Sequence, residues 1–423
     1  MSKEKVLLVV IDLNRRDSWP VEDISQEMRQ LVEACGGEVI DQVVCRPRTL
    51  TAAYLITEGK VNEVAEACSL NQVDTVIFSQ DLKGSQQRNI EEIVKVRIID
   101  RTQLILDIFA RHASSMEGKM QVELAQLEYM LPRLVGKSPE LSRLGGGIGT
   151  LGPGETKLEV DRRRIADRIA RLKKGLEDVS SDRKLKRKKR KDRQIPAISL
   201  VGYTNAGKSS LLNALTSAGQ KTLDGLFTTL DSLSRQYVLP NNQTIILSDT
   251  VGFMHELPHR LIESFKATLE EVNEADLLLH VLDVSHPRFR YLYEAVCDVL
   301  KELDASEKPT IMVLNKIDKV ADRAWLAEIQ SSFEHAICLS AQTGENLSLL
   351  ITKICEVLQP TVKEVELKIP MNRMDLVNSI HKEGRVHSFE YHADFIHISA
   401  VIPIKSLKRF APYLSAVSKG EAA

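Results

Sequence analysis

The feature that most constrains this chain is a glycine-rich turn that follows a short apolar run. The stretch ISLVGYTNAGKSS (198–210) carries the spacing G-x-x-x-x-G-K-[ST] at Gly202, Gly207, Lys208 and Ser209. Small residues let backbone N–H groups curl around phosphate oxygens, and the helix that follows directs its positive end at the same anion. The lysine would then reach the β- and γ-phosphates, and the serine hydroxyl would bind Mg²⁺. The pattern predicts a strand, a phosphate-binding loop and a helix.

Two segments further along suit the γ-phosphate end of a nucleotide. LFTTLD (226–231) places Thr229 after the first helix, where its hydroxyl would bind Mg²⁺ and sense the γ-phosphate. DTVGF (249–253) ends an apolar run, so Asp249 would hold Mg²⁺ through water and the Gly252 N–H would meet the γ-phosphate. Neither segment is diagnostic alone.

Two later segments suit the base of the nucleotide. NKID (315–318) follows a strand-like run, and its Asp318 carboxylate can accept both N1–H and N2–H of guanine. Adenine offers no such pair, and leaving the carboxylate unpaired should cost a few kcal/mol, so Asp318 is predicted to select GTP over ATP. SAQ (340–342) would close the pocket through a backbone N–H to the guanine O6. The order of these motifs indicates a GTP-binding domain.

Together the motifs define a predicted site with three kinds of residue. The predicted catalytic residues are Lys208, Thr229 and Gly252, and the predicted Mg²⁺ ligands are Ser209, Thr229 and, through water, Asp249. The predicted GTP contacts are Gly202, Tyr203, Thr204, Asn205, Ala206, Gly207, Lys208, Ser209, Ser210, Phe227, Thr228, Thr229, Asp249, Thr250, Val251, Gly252, Asn315, Lys316, Asp318, Ser340, Ala341 and Gln342.

Two positions bear on the rate of hydrolysis. The residue after Gly252 is Phe253, where a glutamine often orients the attacking water. An aromatic ring cannot do this, so we expect slow intrinsic hydrolysis that accelerates when another molecule supplies the missing group. Asn205 is a candidate for holding a monovalent cation such as K⁺ against the phosphates, and equal rates in K⁺ and Na⁺ would exclude it.

The whole chain is predicted to be a multi-domain α/β protein. Short Val- and Ile-rich runs alternate with amphipathic stretches over the first hundred or so residues, which is typical of a parallel α/β domain, and this region has no phosphate loop of its own. We expect a small N-terminal α/β domain (1–112), a long antiparallel helical hairpin (113–194), a P-loop GTPase domain (195–360) and a small α+β C-terminal domain (361–423).

The hairpin is predicted from apolar residues at steps of three and four. They run from Met116 to Leu134 and again from Leu158 to Leu176, which favours two helices of about twenty residues packed along each other. The tip between them (141–156) is too glycine-rich to be stiff alone. It is either a probe inserted into another particle or a crossover without fixed structure, and the glycines do not decide between the two.

Charge along the chain is uneven although the formal net charge is −1. Arg183 to Arg193 (RKLKRKKRKDR) holds nine Lys or Arg among eleven residues, in the basic linker that ends the hairpin. Such a run is often only a solvated linker, but beside a long arm it favours nucleic-acid phosphates. No aromatic residues interleave, so backbone binding without base readout is expected.

With these residues identified, the sequence resembles the HflX family of translational GTPases. The resemblance spans nearly the whole chain and rests on GYTNAGKS (202–209), LFTTLD (226–231), DTVGF (249–253), NKID (315–318), SAQ (340–342) and GGGIGTLGPGETKLEVDRR (145–163). The last of these is far more specific to the family than the nucleotide motifs. It departs from the usual family form at Leu151, where the family has Arg, and at Lys157, where it has Gln.

The resemblance implies that the N-terminal domain and arm dock on the large ribosomal subunit, with the tip near the peptidyl-transferase region. It also implies ribosome-stimulated hydrolysis and GTP-dependent splitting or rescue of stalled or hibernating ribosomes. Ribosomal RNA and ribosomal protein would be the partners. The predicted RNA contacts are Arg143, Gly145, Gly146, Gly147, Lys157, Arg162, Arg163, Arg164, Arg187, Lys188, Lys189 and Arg190.

Other interpretations stay open at this point. The chain could be a regulatory G protein acting on a protein partner, or a GTP-timed RNA-processing factor, although 196–358 is the only region with a recognisable catalytic constellation. The sequence has no run of eighteen apolar residues, so no membrane span is predicted. The cysteines are scattered and lack the spacing of metal ligands. We expect a cytoplasmic monomer, with peripheral membrane association left open.

Overall fold

The computed structural model describes residues 3–13, 19–134, 157–192, 195–216, 233–254, 269–358 and 362–415. The described residues up to Asp182 belong to one compact unit, and those from Arg183 onward belong to another. The predicted domain boundaries at residues 112, 194 and 360 stay predictions.

The first unit begins with the predicted parallel α/β domain. Its elements are β1 (Glu4–Ile11), α1 (Val21–Ala34), β2 (Gly37–Cys45), α2 (Glu58–Asn71), β3 (Thr75–Phe78), α3 (Gly84–Val94), β4 (Arg97–Asp100) and α4 (Arg101–His112). The strands lie in the order β2-β1-β3-β4, and all pairs are parallel. Side chains of β1 alternate between two faces, and Leu7 and Val9 join Val61 of α2 and Ile90 of α3 in one core.

Helix α5 (Met116–Met130) and the part of α6 (Lys157–Asp192) up to Asp182 complete this unit, with a 3₁₀ turn at Leu131–Leu134 after α5. The Ser115 hydroxyl accepts the Gly118 N–H at 2.8 Å and caps α5. Ion pairs at 2.7 Å (Arg168–Glu123) and 2.8 Å (Lys173–Glu128) join α6 to α5.

The second helix of the predicted hairpin, or arm (113–194), is α6, and it is longer than expected. It has 36 residues rather than about twenty, and it continues through the basic stretch predicted to be a linker. Lysine and arginine are good helix formers, which explains why the chain stays helical there. The apolar pattern used for the prediction stops earlier, because the later turns have no apolar face to mark them.

The second unit contains a six-stranded sheet in the order β10-β9-β8-β5-β7-β6. Its elements are β5 (Ala197–Val201), α7 (Lys208–Thr216), β6 (Leu233–Val238), β7 (Thr244–Asp249), β8 (Leu277–Asp283), α8 (Phe289–Glu302), β9 (Thr310–Asn315), α9 (Arg323–Ser331), β10 (Ala336–Cys338) and α10 (Leu347–Leu358). Only β6 is antiparallel to its neighbour. The parallel strands therefore bring their carboxyl ends to one edge, where α/β sheets bind ligands.

The second unit also holds the predicted C-terminal α+β domain. It consists of β11 (Val362–Pro370), α11 (Met374–Glu383), β12 (Arg385–Tyr391), β13 (Phe395–Pro403) and α12 (Ile404–Phe410). The sheet order is β11-β13-β12 with antiparallel pairing, so β12 and β13 form a β-hairpin. Alternate residues of β13, such as Ile396 and Ile398, pack with Phe410 in its core. Across the described part of the chain, every helix is too short or too polar to cross a membrane.

Candidate nucleotide site

The predicted phosphate loop joins β5 to α7 and requires glycine at two points. Gly202 has φ +154° and Gly207 has φ +96°, a region of backbone conformation that side chains disfavour. A Cβ on Gly202 would lie 2.2 Å from the Val281 carbonyl oxygen, and one on Gly207 would lie 2.2 Å from Asn315 Nδ2. Because α7 begins at Lys208, the free N–H groups of its first turn face the loop.

Lys208 lies folded across the phosphate loop. Its ammonium group is buried and donates to the carbonyl oxygens of Gly202 at 3.0 Å and Tyr203 at 2.8 Å. Burial lowers the pKa of Lys208 to about 8, while the nearby Asp249 charge acts in the opposite direction. A bound phosphate would stabilise the protonated form, so the lysine is placed to pair with an anion at this loop.

A hydroxyl and a carboxylate meet beside the loop. Ser209 Oγ donates to Asp249 Oδ2 at 2.6 Å, and Asp249, at the end of β7, is fully buried. The Thr204 hydroxyl is also buried and has no hydrogen-bond partner among the described residues. Oxygen donors of this kind are the ligands that Mg²⁺ prefers, so the residues present fit that ion.

The segment after Asp249 is hydrogen-bonded directly to the phosphate loop. The Phe253 N–H donates to Gly202 O at 3.1 Å, and the Thr204 N–H donates to Phe253 O at 2.8 Å. A Cβ on Gly252 would lie 2.8 Å from Thr204 Cγ2 and 3.2 Å from Lys208 Nζ. The two segments are thus in contact beside the Lys208 ammonium group. The Phe253 ring is 1% exposed, so this position supplies no group that could orient water.

The predicted base-recognition motifs are hydrogen-bonded to the loop and to each other. Asn315 Nδ2 donates to Ala206 O at 2.8 Å, and Asn315 Oδ1 accepts the Ala341 N–H at 3.0 Å. Asp318 Oδ1 accepts from Ser340 Oγ at 2.5 Å. Ser340 is fully buried whereas Asp318 is exposed, so its second oxygen can be reached by a purine.

Two residues near this site were not predicted from the sequence. Asp283, at the end of β8, pairs with Lys316 Nζ at 2.7 Å. His280, also on β8, is buried and stacks on Tyr293 with ring centroids 5.2 Å apart. Burial, and then the Lys208 charge, lower the pKa of His280 to about 3, so it is neutral at physiological pH. The only sequence signal for Asp283 was its place as an acidic residue at the end of an apolar run. His280 gave no such signal, because a lone histidine inside an apolar run usually indicates a core residue.

The remaining predicted residues fall into three groups. Phe227, Thr228, Thr229, Arg143, Gly145, Gly146 and Gly147 lie outside the described residues, and so do the side chains of Lys157, Arg187, Lys188, Lys189 and Arg190. Arg162, Arg163 and Arg164 are exposed on α6. In the nucleotide domain, Tyr203, Ala206, Thr250 and Val251 are buried, Ser210 is half-buried, and Asn205 and Gln342 are exposed.

The buried lysine predicts a pH dependence of stability in the nucleotide-free protein. Its folded pKa of about 8 lies below its ordinary 10.5, so between these values the unfolded chain binds more protons. Stability should therefore rise with pH across that window, by about 3 kcal/mol in total. Urea unfolding of wild type and Lys208→Met would show this as a growing difference in favour of wild type. A difference that stays flat across the window would contradict it.

The parallel strands of this sheet carry the phosphate loop and the Ser209–Asp249 pair at their carboxyl ends. They also carry the predicted base-recognition residues Asn315 and Asp318, here called the base corner. This arrangement defines a P-loop GTPase domain. Family models match three consecutive regions: a GTP-binding GTPase N-terminal domain at 22–110, a GTP-binding GTPase middle region at 112–190, and a 50S ribosome-binding GTPase domain at 197–316. The order of these matches agrees with the predicted order of the first three domains.

Curated relatives extend the match to nearly the full length. GTPase HflX of Caldanaerobacter subterraneus is 43% identical over 412 residues, covering 97% of this chain and 94% of its own. GTPase HflX of Escherichia coli is 41% identical over 372 residues, covering 88% and 85%. The chain belongs to the HflX family of GTPases, and its reaction is the hydrolysis of GTP. A GTP-binding protein of Sulfolobus solfataricus, solved with GDP, is 26% identical over 84% of this chain and 99% of its own. The TM-score of this match is 0.44.

Proposed function

We propose that this GTPase binds the large ribosomal subunit in its GTP state and couples hydrolysis to the splitting or rescue of stalled or hibernating ribosomes. The observation that carries the proposal is the buried Phe253 ring. The site has a phosphate loop, a lysine and a base corner, yet this position offers no side chain that could orient the attacking water. A GTPase built in this way depends on an activator, and supplying the missing group can be worth about 10³- to 10⁵-fold in rate.

Within this proposal, the predicted GTP contacts act as two groups. The loop around Lys208 holds the phosphates, and Asp318 recognises guanine, with Asn315 joining the two groups by its hydrogen bonds. Ser209, Thr229 and Asp249 would hold Mg²⁺, which supplies charge to the β- and γ-phosphates when bound. Asn205, in a left-handed backbone conformation with φ 60°, is the proposed contact to K⁺.

The proposed RNA-binding surface is the arm. Arg162, Arg163 and Arg164 are exposed on α6, and the same helix continues through the basic stretch. Phosphate contacts of this kind are independent of sequence and weaken steeply with salt. The family model that matches the nucleotide domain is described as 50S ribosome-binding, which supports the large subunit as the particle concerned. We place the protein in the cytoplasm as a monomer.

The test is GTP turnover of the full chain with and without purified large subunits. We expect stimulation on the order of 10³-fold or more, with small subunits as the control. Reversing the exposed charges (Arg162→Glu, Arg163→Glu, Arg164→Glu) should leave intrinsic turnover unchanged and reduce stimulation, whereas the matched lysine variant should keep it. If large subunits give no stimulation, a protein partner or an RNA-processing role becomes the better account.

A further inference from the structure

The base corner is attached to the neighbouring strand through an ion pair. Lys316 Nζ lies 2.7 Å from Asp283 Oδ2, and each side chain is only 17% exposed. Asp283 ends β8 directly opposite Asn315 at the end of β9. The Val284 N–H donates to Asn315 O at 3.1 Å, which continues the pairing of the two strands past their ends. The pair is therefore formed where the chain leaves the sheet to enter the base corner.

Both oxygens of the Asp283 carboxylate have partners. Oδ2 faces Lys316, while Oδ1 accepts from the Ser285 N–H at 3.0 Å and from the Ser285 hydroxyl at 2.6 Å. A carboxylate held in this way cannot rotate freely. Its position, and hence the position of the ammonium group it binds, is set by the backbone after β8.

Lys316 is the point at which the chain turns. Its φ of 65° is left-handed, which is unusual for a residue with a long side chain. The turn takes the chain from β9 into the 3₁₀ turn Ile317–Lys319, which carries Asp318. The residues on either side of Lys316 each hold a different part of the site, since Asn315 binds the phosphate loop and Asp318 binds Ser340. A displacement of Lys316 would therefore move both Asn315 and Asp318.

We propose that Asp283 is a positioning residue for guanine recognition and acts through Lys316. The inference rests on the proposed nucleotide site and adds a residue that none of the nucleotide motifs contains. Its physical basis is that a half-buried ion pair stabilises a strained turn, so that Asp318 is already in place when the purine arrives.

A double-mutant cycle tests this inference with GDP as the probe. In the full chain, Asp283→Ala should weaken GDP binding about tenfold, or about 1.4 kcal/mol. In a Lys316→Met background the same change should have less than a twofold effect, because the partner through which it acts is gone. The preference for GDP over inosine diphosphate, which lacks the N2–H that Asp318 would accept, should fall in Asp283→Ala as well.

Two controls keep the test decisive. Asp283→Asn can still accept from Ser285 but loses the charge that holds Lys316, so it should also weaken GDP binding even if the alanine variant does not fold. Ser285→Ala keeps the ion pair and should change binding less than Asp283→Asn does. If Asp283→Ala weakens GDP binding as much in the Lys316→Met background as in wild type, this inference is wrong and the nucleotide site stands. If the wild-type chain binds no GDP, the nucleotide site is wrong as well.

Discussion

Lys208→Ala is expected to abolish measurable GTP turnover, with a loss of at least about 10³-fold in kcat/KM, or about 4 kcal/mol. Lys208 is the buried cation of the phosphate loop, where it donates to two loop carbonyls. In a site shielded from water its charge would interact with the phosphates far more strongly than a surface lysine could. Alanine removes that charge and also leaves the Gly202 and Tyr203 carbonyls without this donor.

The matched control for this variant is Lys301→Ala. Lys301 is an exposed lysine on α8 that pairs with Asp298, far along the chain from the loop. Multiple-turnover hydrolysis of GTP and equilibrium binding of GDP, measured on both variants, separate loss of binding from loss of chemistry. Near-normal turnover by Lys208→Ala would mean that the phosphates are held elsewhere.

Asp318→Asn is expected to change base preference from guanine to xanthine. Xanthine has a carbonyl at C2 where guanine has an amino group, so an asparagine amide can donate to it while its carbonyl accepts from N1–H. We expect GDP binding to weaken on the order of 10²-fold and xanthosine diphosphate binding to strengthen, because one mismatched hydrogen bond between this side chain and the bound base costs a few kcal/mol. The hydrogen bond from Ser340 can persist to the asparagine oxygen, which limits structural damage.

A matched control for the base-specificity variant is Asp322→Asn. Asp322 is an exposed aspartate that caps α9 by accepting the Ala324 and Trp325 N–H groups, a role that asparagine also performs. Competition binding with GDP, xanthosine diphosphate and ADP compares the two variants directly. Unchanged guanine selectivity in Asp318→Asn would remove Asp318 from the base pocket.

Much of the nucleotide domain could be predicted because its motifs lie at strand ends. The runs that end at Val201, Asp249 and Asn315 are apolar, since these strands are buried, and each is followed at once by polar residues of the site. β6 was not predicted because it lies at the sheet edge, where its side chains are largely exposed and its apolar pattern is weak.

What the sequence could not show is how distant segments meet. The Asp283–Lys316 pair joins residues that no motif relates, because it depends on β8 and β9 being neighbours in register. Likewise, the burial of Phe253 follows from the pairing of its backbone with the phosphate loop, which spacing alone does not specify. Motifs predict the chemistry of single segments, whereas contacts between segments, such as the Asp283–Lys316 pair, are seen only in the folded sheet.

The most direct test of nucleotide-controlled ribosome binding is co-sedimentation of the full chain with purified large subunits, in GDP and in a non-hydrolysable GTP analogue. In the GTP state, contacts to the γ-phosphate from Gly252 and Thr229 would order the domain that binds the subunit, and hydrolysis would release them. We predict that the chain pellets with subunits in the analogue and remains in the supernatant in GDP. Equal pelleting in both nucleotides, or none in either, would contradict nucleotide-controlled binding to the ribosome.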